Sequence, residues 1–324
     1  MLNGEAPAPA GTPAPTAPEA SSFASPSARS FKSGFVTLIG RPNAGKSSLI
    51  NAVLGRKIAI TSNTPQTTRH RFRAVLNAED YQLILVDTPG IHKPHDALGE
   101  ELNRSAQKAI EAVDAICFVL DGTKPFGNGD RWILNAIASV PTPRILVVSK
   151  TDLVDTREVD AQIAAATGEY PFDAVLSLSA QEGVNLERFV ETATFFLPEG
   201  PRWFPADTST DQPLEVIVAE FIREKVLTST FEEVPHAVGV QVEGLEYDRK
   251  KGLYSIYAYI YVERDSQKGI IIGHKGEKIK RIGTQARLDL THFLAAKVYL
   301  DLRVKVRKHW RQDANQIRRF GYGE

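Results

Sequence analysis

The sequence predicts two folded domains, an α/β domain with a mostly parallel sheet and then a smaller α+β domain. Short apolar runs rich in branched residues recur along the first part of the chain: FVTLI, YQLILV, AICFVL, RILVVS and AVLSLS. Longer mixed segments of helical character separate most of them, and this alternation is typical of a parallel sheet covered on both faces. At 324 residues, the chain also has the length of about two domains.

Within the first domain, each mixed segment is assigned to a helix. We predict helices at 46–54, 100–113, 130–138, 157–166 and 186–197, and an edge strand at RFRAVLNA. Cys117 lies within AICFVL and is expected to be a small buried hydrophobe. Because it is the single cysteine of the sequence, an internal disulfide bond is excluded.

Composition marks the ends of the two domains. Residues 1–33 contain six prolines and eight alanines, so we predict a disordered tail there. The proline-rich stretch LPEGPRWFPADTSTDQP interrupts regular structure. We therefore place the first domain at 34–200, a linker at 201–212 and the second domain, with a C-terminal basic tail, at 213–324. Neither a secretory signal nor an apolar run of about 18 residues is seen, so a cytoplasmic protein is expected.

Charge is distributed unevenly, although the formal net charge is zero. Residues 264–324 contain 15 Lys or Arg and 6 Asp or Glu, so this stretch carries +9 and the remainder −9. A solvated basic face and a surface that attracts phosphate both account for this asymmetry.

The octapeptide GRPNAGKS, residues 40–47, fits the pattern G-x-x-x-x-G-K-[ST]. It follows the strand FVTLI and opens a helix, which distinguishes a phosphate-binding loop from a chance glycine-rich turn. Glycines let the backbone N–H groups point at phosphates, and the helix N-terminus adds a partial positive charge. The predicted phosphate-binding residues are Gly40, Asn43, Ala44, Gly45, Lys46, Ser47 and Ser48.

Two further segments supply candidate ligands for a Mg²⁺ ion that Ser47 can also bind. VDTPG ends a strand, so Asp87 can hold the ion through water and the Gly90 N–H can meet the γ phosphate. Pro-Gly alone would also mark an ordinary turn. The polar stretch TSNTPQTTRHR suits a loop that orders when a Thr hydroxyl meets Mg²⁺, and we choose Thr68 over Thr67.

The second domain carries a G-x-x-G loop within GIIIGHKGEKIKRIG, between an apolar half-helix and a basic helix. With the order helix, strand, strand, helix, helix, strand, this context is the signature of a type II KH domain, whose loop clamps about four unpaired nucleotides. A glycine-capped helix–helix turn would explain the tetrapeptide alone. The predicted RNA contacts are Gly273, His274, Lys275, Gly276, Lys278, Lys280 and Arg281.

Arg303, Lys305 and Arg307 alternate with apolar residues in DLRVKVRKHW, so they share one face of a predicted strand. Phosphate contact and a solvated outer face are equally open for them.

Together these motifs resemble the Era family, whose members join a small GTPase to an RNA-binding KH domain. GRPNAGKSSLIN, ITSNTPQTTRHR, VDTPG, SKTD and SLSA occur in that order, and the resemblance covers residues 35 to about 323. It implies a P-loop small-GTPase domain with a mostly parallel sheet, followed by an α+β type II KH domain.

The resemblance further implies a guanine site. The family pattern is Asn-Lys-x-Asp, with the Asn contacting the base edge and bracing the phosphate loop; this chain has Ser149 there. By the resemblance, Asp152 accepts hydrogen bonds from guanine N1 and N2, Lys150 stacks on the base, and Ser179 and Ala180 complete the pocket. Adenine lacks those donors. We therefore predict guanine selectivity, with somewhat weaker binding because serine is shorter.

A monovalent cation is also implied by the resemblance. Ile91 follows Gly90 where Ras-like enzymes carry a water-positioning glutamine, and Era-like GTPases share this substitution. Asn43 matches their proposed cation ligand, although it is equally a turn residue. We predict slow, Mg²⁺-dependent GTP hydrolysis that K⁺ accelerates more than Na⁺. The basic pair Arg69 and His70 is expected to be solvated.

As partners, the resemblance implies GTP and GDP, the 3′ end of 16S rRNA and the 30S ribosomal subunit. It also implies a monomer with weak peripheral association at the inner face of the cell membrane. We predict a GTPase that acts in 16S rRNA processing and 30S assembly. The alternative is an RNA-binding scaffold with an occupied but nearly inactive nucleotide site, which Ile91 and Ser149 leave open. Asp152 argues against a P-loop ATPase.

Overall fold

The computed structural model describes residues 30–62, 67–89, 96–231 and 234–322. Most of the predicted N-terminal tail therefore lies outside the described residues, as do Gly90 and Ile91. None of the helices within these ranges combines the length and apolar character that crossing a bilayer requires.

A six-stranded sheet in the order β2-β3-β1-β4-β5-β6 forms the centre of the first lobe. Its strands are β1 (Lys32–Ile39), β2 (Phe72–Asn77), β3 (Tyr81–Asp87), β4 (Ala115–Asp121), β5 (Arg144–Ser149) and β6 (Ala174–Ser177). The edge strand β2 pairs antiparallel with β3, and the other four pairings are parallel. The predicted α/β fold with a mostly parallel sheet is thus confirmed.

Helices cover both faces of this sheet. They are α1 (Lys46–Leu54), α2 (Ala97–Glu111), α3 (Asn128–Ala136), α4 (Thr156–Thr167) and α5 (Leu186–Phe195). Leu49 of α1 and Phe189 of α5 pack into the core on one face, and Ile133 of α3 packs into the core on the other. Cys117 is buried in β4, as predicted. Parallel strands buried on both faces explain why the apolar runs show no polar alternation.

The second lobe is a three-stranded sheet, β7-β8-β9, with helices packed on one face. Its elements are α6 (Leu214–Ser229), α7 (Val234–Ala237), β7 (Gly239–Asp248), β8 (Leu253–Val262), α8 (Asp265–Ile272), α9 (Glu277–Leu294), β9 (Lys297–Val306) and α10 (Ala314–Arg319). Strand β8 pairs antiparallel with β7 and parallel with β9. This is the predicted helix, strand, strand, helix, helix, strand order.

The segment between the lobes is ordered against the edge of the first sheet. The backbone N–H groups of Trp203 and Phe204 donate to Gln82 Oε1 at 2.7 and 2.9 Å. The Val75 N–H donates to the Ser209 carbonyl oxygen at 3.0 Å. The prolines therefore interrupt regular structure as predicted, while the chain remains fixed to β2 and β3.

The end of the chain differs from the predicted basic tail. Residues 310–322 fold into a short 3-10 helix and α10, with Trp310, Phe320 and Tyr322 all buried. These rings pack with Leu98 of α2 and Tyr261 of β8, so the segment contacts both lobes. The prediction of a tail rested on the basic charge of the segment, whereas its aromatic side chains pack against residues that are distant in the sequence.

Candidate functional site

Residues 40–47 form a tight loop between β1 and α1, and two glycines make its path possible. Gly40 has a φ of +152°, and a Cβ there would lie 2.3 Å from the Val119 carbonyl oxygen. Gly45 has a φ of +96° and caps α1, with an added Cβ 3.3 Å from Ser149 Oγ. Side chains at these positions would strain the loop and displace its neighbours. The loop thus stands at a helix N-terminus, an arrangement suited to an anion.

Lys46 is buried inside this loop. Its Nζ donates to the carbonyl oxygens of Gly40 and Arg41, both at 3.1 Å. Burial lowers the pKa of Lys46 to about 8, and the nearby Asp87 carboxylate partly opposes this lowering. An anion beside a buried ammonium favours its charged form. Lys46 and a phosphate group in this loop would therefore stabilise each other.

Three side-chain oxygens meet next to the loop. Ser47 Oγ donates to Asp87 Oδ2 at 2.9 Å and lies 3.0 Å from Thr68 Oγ1. Asp87 is fully buried, and its Oδ1 has no hydrogen-bond partner in the described part of the chain. Burial raises the pKa of Asp87 to about 6, against the opposing effect of Lys46. Hydroxyl and carboxylate oxygens suit Mg²⁺, so this corner fits the ion predicted for it.

The two candidate threonines have different hydrogen-bond partners. Thr68 Oγ1 meets Ser47, whereas Thr67 Oγ1 lies 2.7 Å from Ser62 Oγ on its own loop. The geometry therefore favours Thr68, the residue chosen from the sequence, as the Mg²⁺ ligand from this loop.

Ser149 ends β5 and holds the phosphate loop from behind. Its Oγ lies 2.6 Å from the Ala44 carbonyl oxygen and 3.0 Å from that of Leu120, so the hydroxyl can donate to either. Only 2% of Ser149 is exposed. A bracing contact to the loop is thus available to serine, despite its shorter side chain.

Beyond Ser149, the chain turns so that two charged side chains face the same cleft. Lys150 has a φ of +59°, and its Nζ donates to the Asn43 carbonyl oxygen at 2.7 Å and to Asp121 Oδ2 at 2.8 Å. Asp152 accepts a hydrogen bond of 2.5 Å from Ser179 Oγ.

Asp121, which pairs with Lys150, was not predicted as a site residue from the sequence. Its position after an apolar run was a signal, because carboxyl ends of parallel strands meet at one edge.

A cleft formed by two adjoining cavities runs from Asp152 to the phosphate loop. A cavity of about 700 Å³ is lined at one end by Asp152, Leu153 and Ala180. A cavity of about 260 Å³ is lined by Lys46, Ser47 and Thr68. The two share Gly45, Ser48, Thr61 and Lys150. The cleft therefore suits an elongated ligand with an anionic end, and Arg56 and Lys57 also line it, which the sequence had not indicated.

In the second lobe, the G-x-x-G loop links α8 to α9. Gly273 has a φ of +73°, and a Cβ there would lie 2.7 Å from the Cβ of Lys278. Gly276 has a φ of +82° and caps α9. His274 and Lys275 between them are exposed. The loop thus presents backbone and a cation to solvent, as a phosphate clamp requires.

A cleft of about 480 Å³ lies between α9 and β9. It is lined by Ile279, Lys280, Gly283, Thr284, Arg287 and the residues from Tyr299 to Leu302. Lys280 is the one predicted RNA contact among them, while Lys278 and Arg281 lie on other parts of α9. Arg287 was missed, although it lies seven positions after Lys280 and hence on the same helix face.

Comparison with known proteins places both lobes in families. A family model described as a 50S ribosome-binding GTPase matches residues 35–150, and a KH domain model matches residues 233–311. GTPase Era of Caldanaerobacter subterraneus subsp. tengcongensis is 49% identical over 292 residues, which are 90% of this chain and 98% of that protein. The chain belongs to the Era GTPase family. The family, the fold and the GTPase class predicted from the sequence are thereby confirmed.

Solved Era structures share the whole arrangement. An Era variant from Aquifex aeolicus bound to GDP and AlF4⁻ is 37% identical, covers 90% of this chain and 99% of that chain, and has a TM-score of 0.87. An Era structure in complex with MgGDPNP and nucleotides 1506–1542 of 16S ribosomal RNA gives the same identity, coverage and TM-score.

In this Era-family chain, the loop that carries Thr68 is fixed to the second lobe. The Arg69 guanidinium donates to the carbonyl oxygens of Val238 at 2.5 Å and His236 at 3.0 Å. It also lies 5.7 Å from the Trp310 ring and 5.4 Å from the Tyr322 ring. Burial, followed by the nearby Arg223, lowers the pKa of Arg69 to about 10. Arg69 therefore remains charged at neutral pH while buried between the lobes.

The expectation that Arg69 and His70 are solvated is wrong. Arg69 is 1% exposed and His70 is 8% exposed. His70 packs edge-on against Tyr322 at 4.9 Å, and burial lowers its pKa. Arg223 of α6 is buried as well, donating to the Thr67 carbonyl oxygen and pairing with Glu220. We call Arg69, His70, Glu220, Arg223 and Tyr322 the interlobe cluster.

The raised pKa of Asp87 predicts how Mg²⁺ binding depends on pH. In the folded protein the pKa of Asp87 is raised to about 6, because burial disfavours the carboxylate. Without a cation, the fold therefore loses stability as the pH rises from about 4, where the carboxyl group ionises in the unfolded chain, to about 6, and a bound cation offsets this cost. Below pH 6 a proton competes, so Mg²⁺ affinity should fall by up to about tenfold per pH unit. Titrating Mg²⁺ into the GDP complex at pH 5 to 8 measures this, and a flat profile would contradict it.

Proposed function

We propose that this Era-family GTPase binds GTP and GDP in the cleft between Asp152 and the phosphate loop, and hydrolyses GTP with Mg²⁺. We further propose that its KH domain binds the 3′ end of 16S rRNA during 30S subunit assembly. The observation that carries the proposal is the cleft itself. One of its ends has the Asp152 carboxylate, and the other has Lys46 beside Ser47, Thr68 and Asp87.

At the base end, Asp152 accepts hydrogen bonds from guanine N1 and N2. Ser179 Oγ donates to Asp152 and fixes the orientation of its carboxylate. The backbone beside Ala180 closes the pocket, and the Lys150 stem covers the base. Adenine would leave the Asp152 carboxylate without donors, which costs binding energy.

At the phosphate end, Lys46 and the loop stabilise negative charge that develops on the phosphoryl oxygens during hydrolysis. Ser47 and Thr68 would hold Mg²⁺ through their hydroxyl oxygens, and Asp87 would hold it through water. The bound ion would supply positive charge beside the phosphates. Gly90, the predicted γ-phosphate contact, lies outside the described residues.

RNA binding is proposed for the G-x-x-G loop and the α9–β9 cleft. The Era structure that contains a 16S rRNA fragment superimposes with a TM-score of 0.87, which supports this partner. Lys275 and Lys280 supply charge to the backbone of the strand, and Gly273 and Gly276 allow close approach. His274, Lys278 and Arg281 extend the basic surface of the loop and of the helix that follows. We also propose that the protein is a monomer in the cytoplasm and makes weak peripheral contact with the membrane.

The RNA proposal is tested by changing the centre of the loop and keeping its glycines. His274→Asp combined with Lys275→Asp reverses the local charge, and Asp tolerates the φ of +47° at position 275. Affinity for a fluorescent RNA with the 16S 3′-end sequence should fall at least about tenfold, since the Lys275 charge is lost and two carboxylates face the RNA backbone. GDP affinity checks that the variant is folded. Unchanged RNA affinity would contradict the proposal.

A K⁺ ion beside Asn43 is proposed as the source of charge that an arginine finger gives in other GTPases. Asn43 has a φ of +63°, so Asn43→Gly removes the side-chain oxygen without straining the backbone. The wild type should hydrolyse GTP several-fold faster in KCl than in NaCl, and the variant should lose most of this difference. Equal wild-type rates in the two salts would overturn the role of K⁺. Steady-state phosphate release at constant ionic strength is the measurement.

A further inference from the structure

The sheet of the KH domain has a second face, opposite α6, α8 and α9. On β8, Ile256, Ala258 and Ile260 are buried beneath the helices. Because side chains alternate along a strand, Tyr257 and Tyr259 point to the opposite side. On β9, the register pairs Asp301 with Tyr257 and Arg303 with Tyr259. These side chains therefore share what we call the outer face.

Part of the outer face is covered and part is open. Tyr261 is 4% exposed, because Phe320 of the C-terminal segment packs against it at 5.3 Å. At the other end, Tyr257 is 45% exposed and Tyr299 is 51% exposed, with their ring centroids 6.1 Å apart. Arg303 and Lys305 on β9 are exposed as well. We call Tyr257, Tyr299, Arg303 and Lys305 the open tyrosine patch.

The patch rests on rigid backbone. Tyr257 lies on the central strand, opposite a β-bulge between Val242 and Gly244 of β7. A Cβ at Gly244 would come within 3.4 Å of the Tyr257 ring, so the glycine leaves that ring room over β7. Exposed aromatic rings of this kind offer faces on which unpaired bases can stack.

The patch is continuous with the proposed RNA cleft. Tyr299 lines the cleft between α9 and β9 and also belongs to the patch. A strand that leaves the cleft across the edge of β9 therefore reaches the outer face at Tyr299. Since a KH cleft holds about four nucleotides, the rest of a longer RNA leaves the cleft at its ends.

Charge favours this path over the rest of the outer face. Along β9 the outward row contains Lys297, Arg303 and Lys305, and its one acid, Asp301, pairs with Arg303 at 3.3 Å. The exposed acids Glu243 and Glu246 lie on β7, at the far edge of the sheet. A polyanion is thus attracted along β9 and β8 and repelled from β7.

We propose that the open tyrosine patch is a second binding surface for single-stranded RNA, which extends the KH cleft across β9. Bases that leave the cleft stack on Tyr299 and then on Tyr257. Arg303 and Lys305, which lie farther along β9, contact the phosphates of the nucleotides beyond Tyr257. The inference rests on the proposed RNA binding by the KH cleft.

The test compares a four-nucleotide RNA with RNAs of about ten nucleotides, extended at either end, since only the longer ones can reach the patch. Of the two longer RNAs, the one whose extension reaches the patch should bind the double variant Tyr257→Thr, Tyr299→Thr about tenfold or more weakly, because each stacked base contributes binding free energy. Affinity for the four-nucleotide RNA should change less than about twofold, since it does not reach the patch. The readout is fluorescence anisotropy on the full chain.

Tyr247→Thr is the matched control. Tyr247 lies on the same sheet and is 47% exposed, but it pairs with Tyr254 on the helix side. It should leave binding of both RNAs unchanged.

Arg303→Gln with Lys305→Gln gives a second, independent readout. Loss of two phosphate contacts should reduce the slope of log K against log salt by about 1.4 for the longer RNA alone, at roughly 0.7 per contact. If both longer RNAs bind the tyrosine variant as tightly as the wild type, the patch is not an RNA surface and the inference is wrong. If the wild type binds neither RNA, the proposed function of the KH cleft fails, and the inference fails with it.

Discussion

Asp152→Asn is expected to convert the guanine site into a xanthine site. The carboxylate accepts two hydrogen bonds from the guanine N1 and N2 groups, whereas an amide offers one acceptor and one donor. Xanthine has a carbonyl in place of the N2 amino group, so it matches the amide. A polar site that loses its partners discriminates by about 10⁴-fold. GDP affinity should therefore fall by about that factor, while XDP affinity rises. Competition of fluorescent GDP by GDP, XDP and ADP measures both.

Ser149→Asn is the control for this experiment. Ser149 touches the Ala44 and Leu120 carbonyl oxygens and supports the loop, so its replacement should alter affinity by less than about tenfold and leave guanine selectivity intact. Asp152→Asn protein that still prefers GDP over XDP would contradict the assignment of Asp152.

Arg69→Met is expected to be the most destabilising single change between the lobes. It leaves the Val238 and His236 carbonyl oxygens buried without their donor, and it removes the contacts with the Trp310 and Tyr322 rings. Hydrogen bonds from charged donors contribute about 1.5 to 3 kcal/mol each, so a loss of about 3 kcal/mol or more is expected. Urea denaturation and thermal unfolding of the GDP complex measure it.

Arg73→Met is the matched change. Arg73 lies four residues away and pairs with Asp211 at 3.3 Å on the surface, where its side chain is 41% exposed. Exposed ion pairs contribute about 0 to 1 kcal/mol. Equal losses for the two arginine variants would show that the interlobe cluster does not stabilise the fold.

The parts of the site that depend on local pattern could be predicted from the sequence. The helix at 46–54 was predicted with its observed bounds, because Gly45 and Gly55 stop it at both ends. The basic helix predicted after the G-x-x-G loop is α9, which likewise begins directly after a glycine, Gly276. Lys46 and Asp87 could be proposed as site residues because the chemistry needs fixed residue types at fixed positions along a strand, loop and helix.

The parts that depend on distant contacts could not be predicted. Arg69 is buried by residues more than 160 positions away along the chain, including Val238 and His236. Within its own polar loop, nothing distinguishes it from a solvated arginine. The folding of the C-terminal segment could not be predicted for the same reason. Trp310 and Phe320 are buried by Leu98 and Tyr261, and local composition does not reveal these partners.

The interlobe cluster lies between the proposed nucleotide site and the KH domain. Thr68 meets Ser47 at the Mg²⁺ corner, and the next residue, Arg69, is fixed to the second lobe. The Thr61 N–H donates to Glu224 of α6 at 3.0 Å, and Arg311 pairs with Asp96 at 3.2 Å just before α2. If nucleotide and Mg²⁺ change the position of Thr68, we expect the contacts between the neighbouring Arg69 and the second lobe to change as well.

RNA affinity in the two nucleotide states tests this coupling most directly. The dissociation constant of a 16S 3′-end RNA should be measured by anisotropy with MgGDPNP and with MgGDP, on the wild type and on Arg69→Met. We expect the two wild-type constants to differ by about 5- to 150-fold, the usual range of coupling between sites, and the variant to lose most of that difference. Equal wild-type constants would contradict the account, because the nucleotide would then bind without acting on the KH domain.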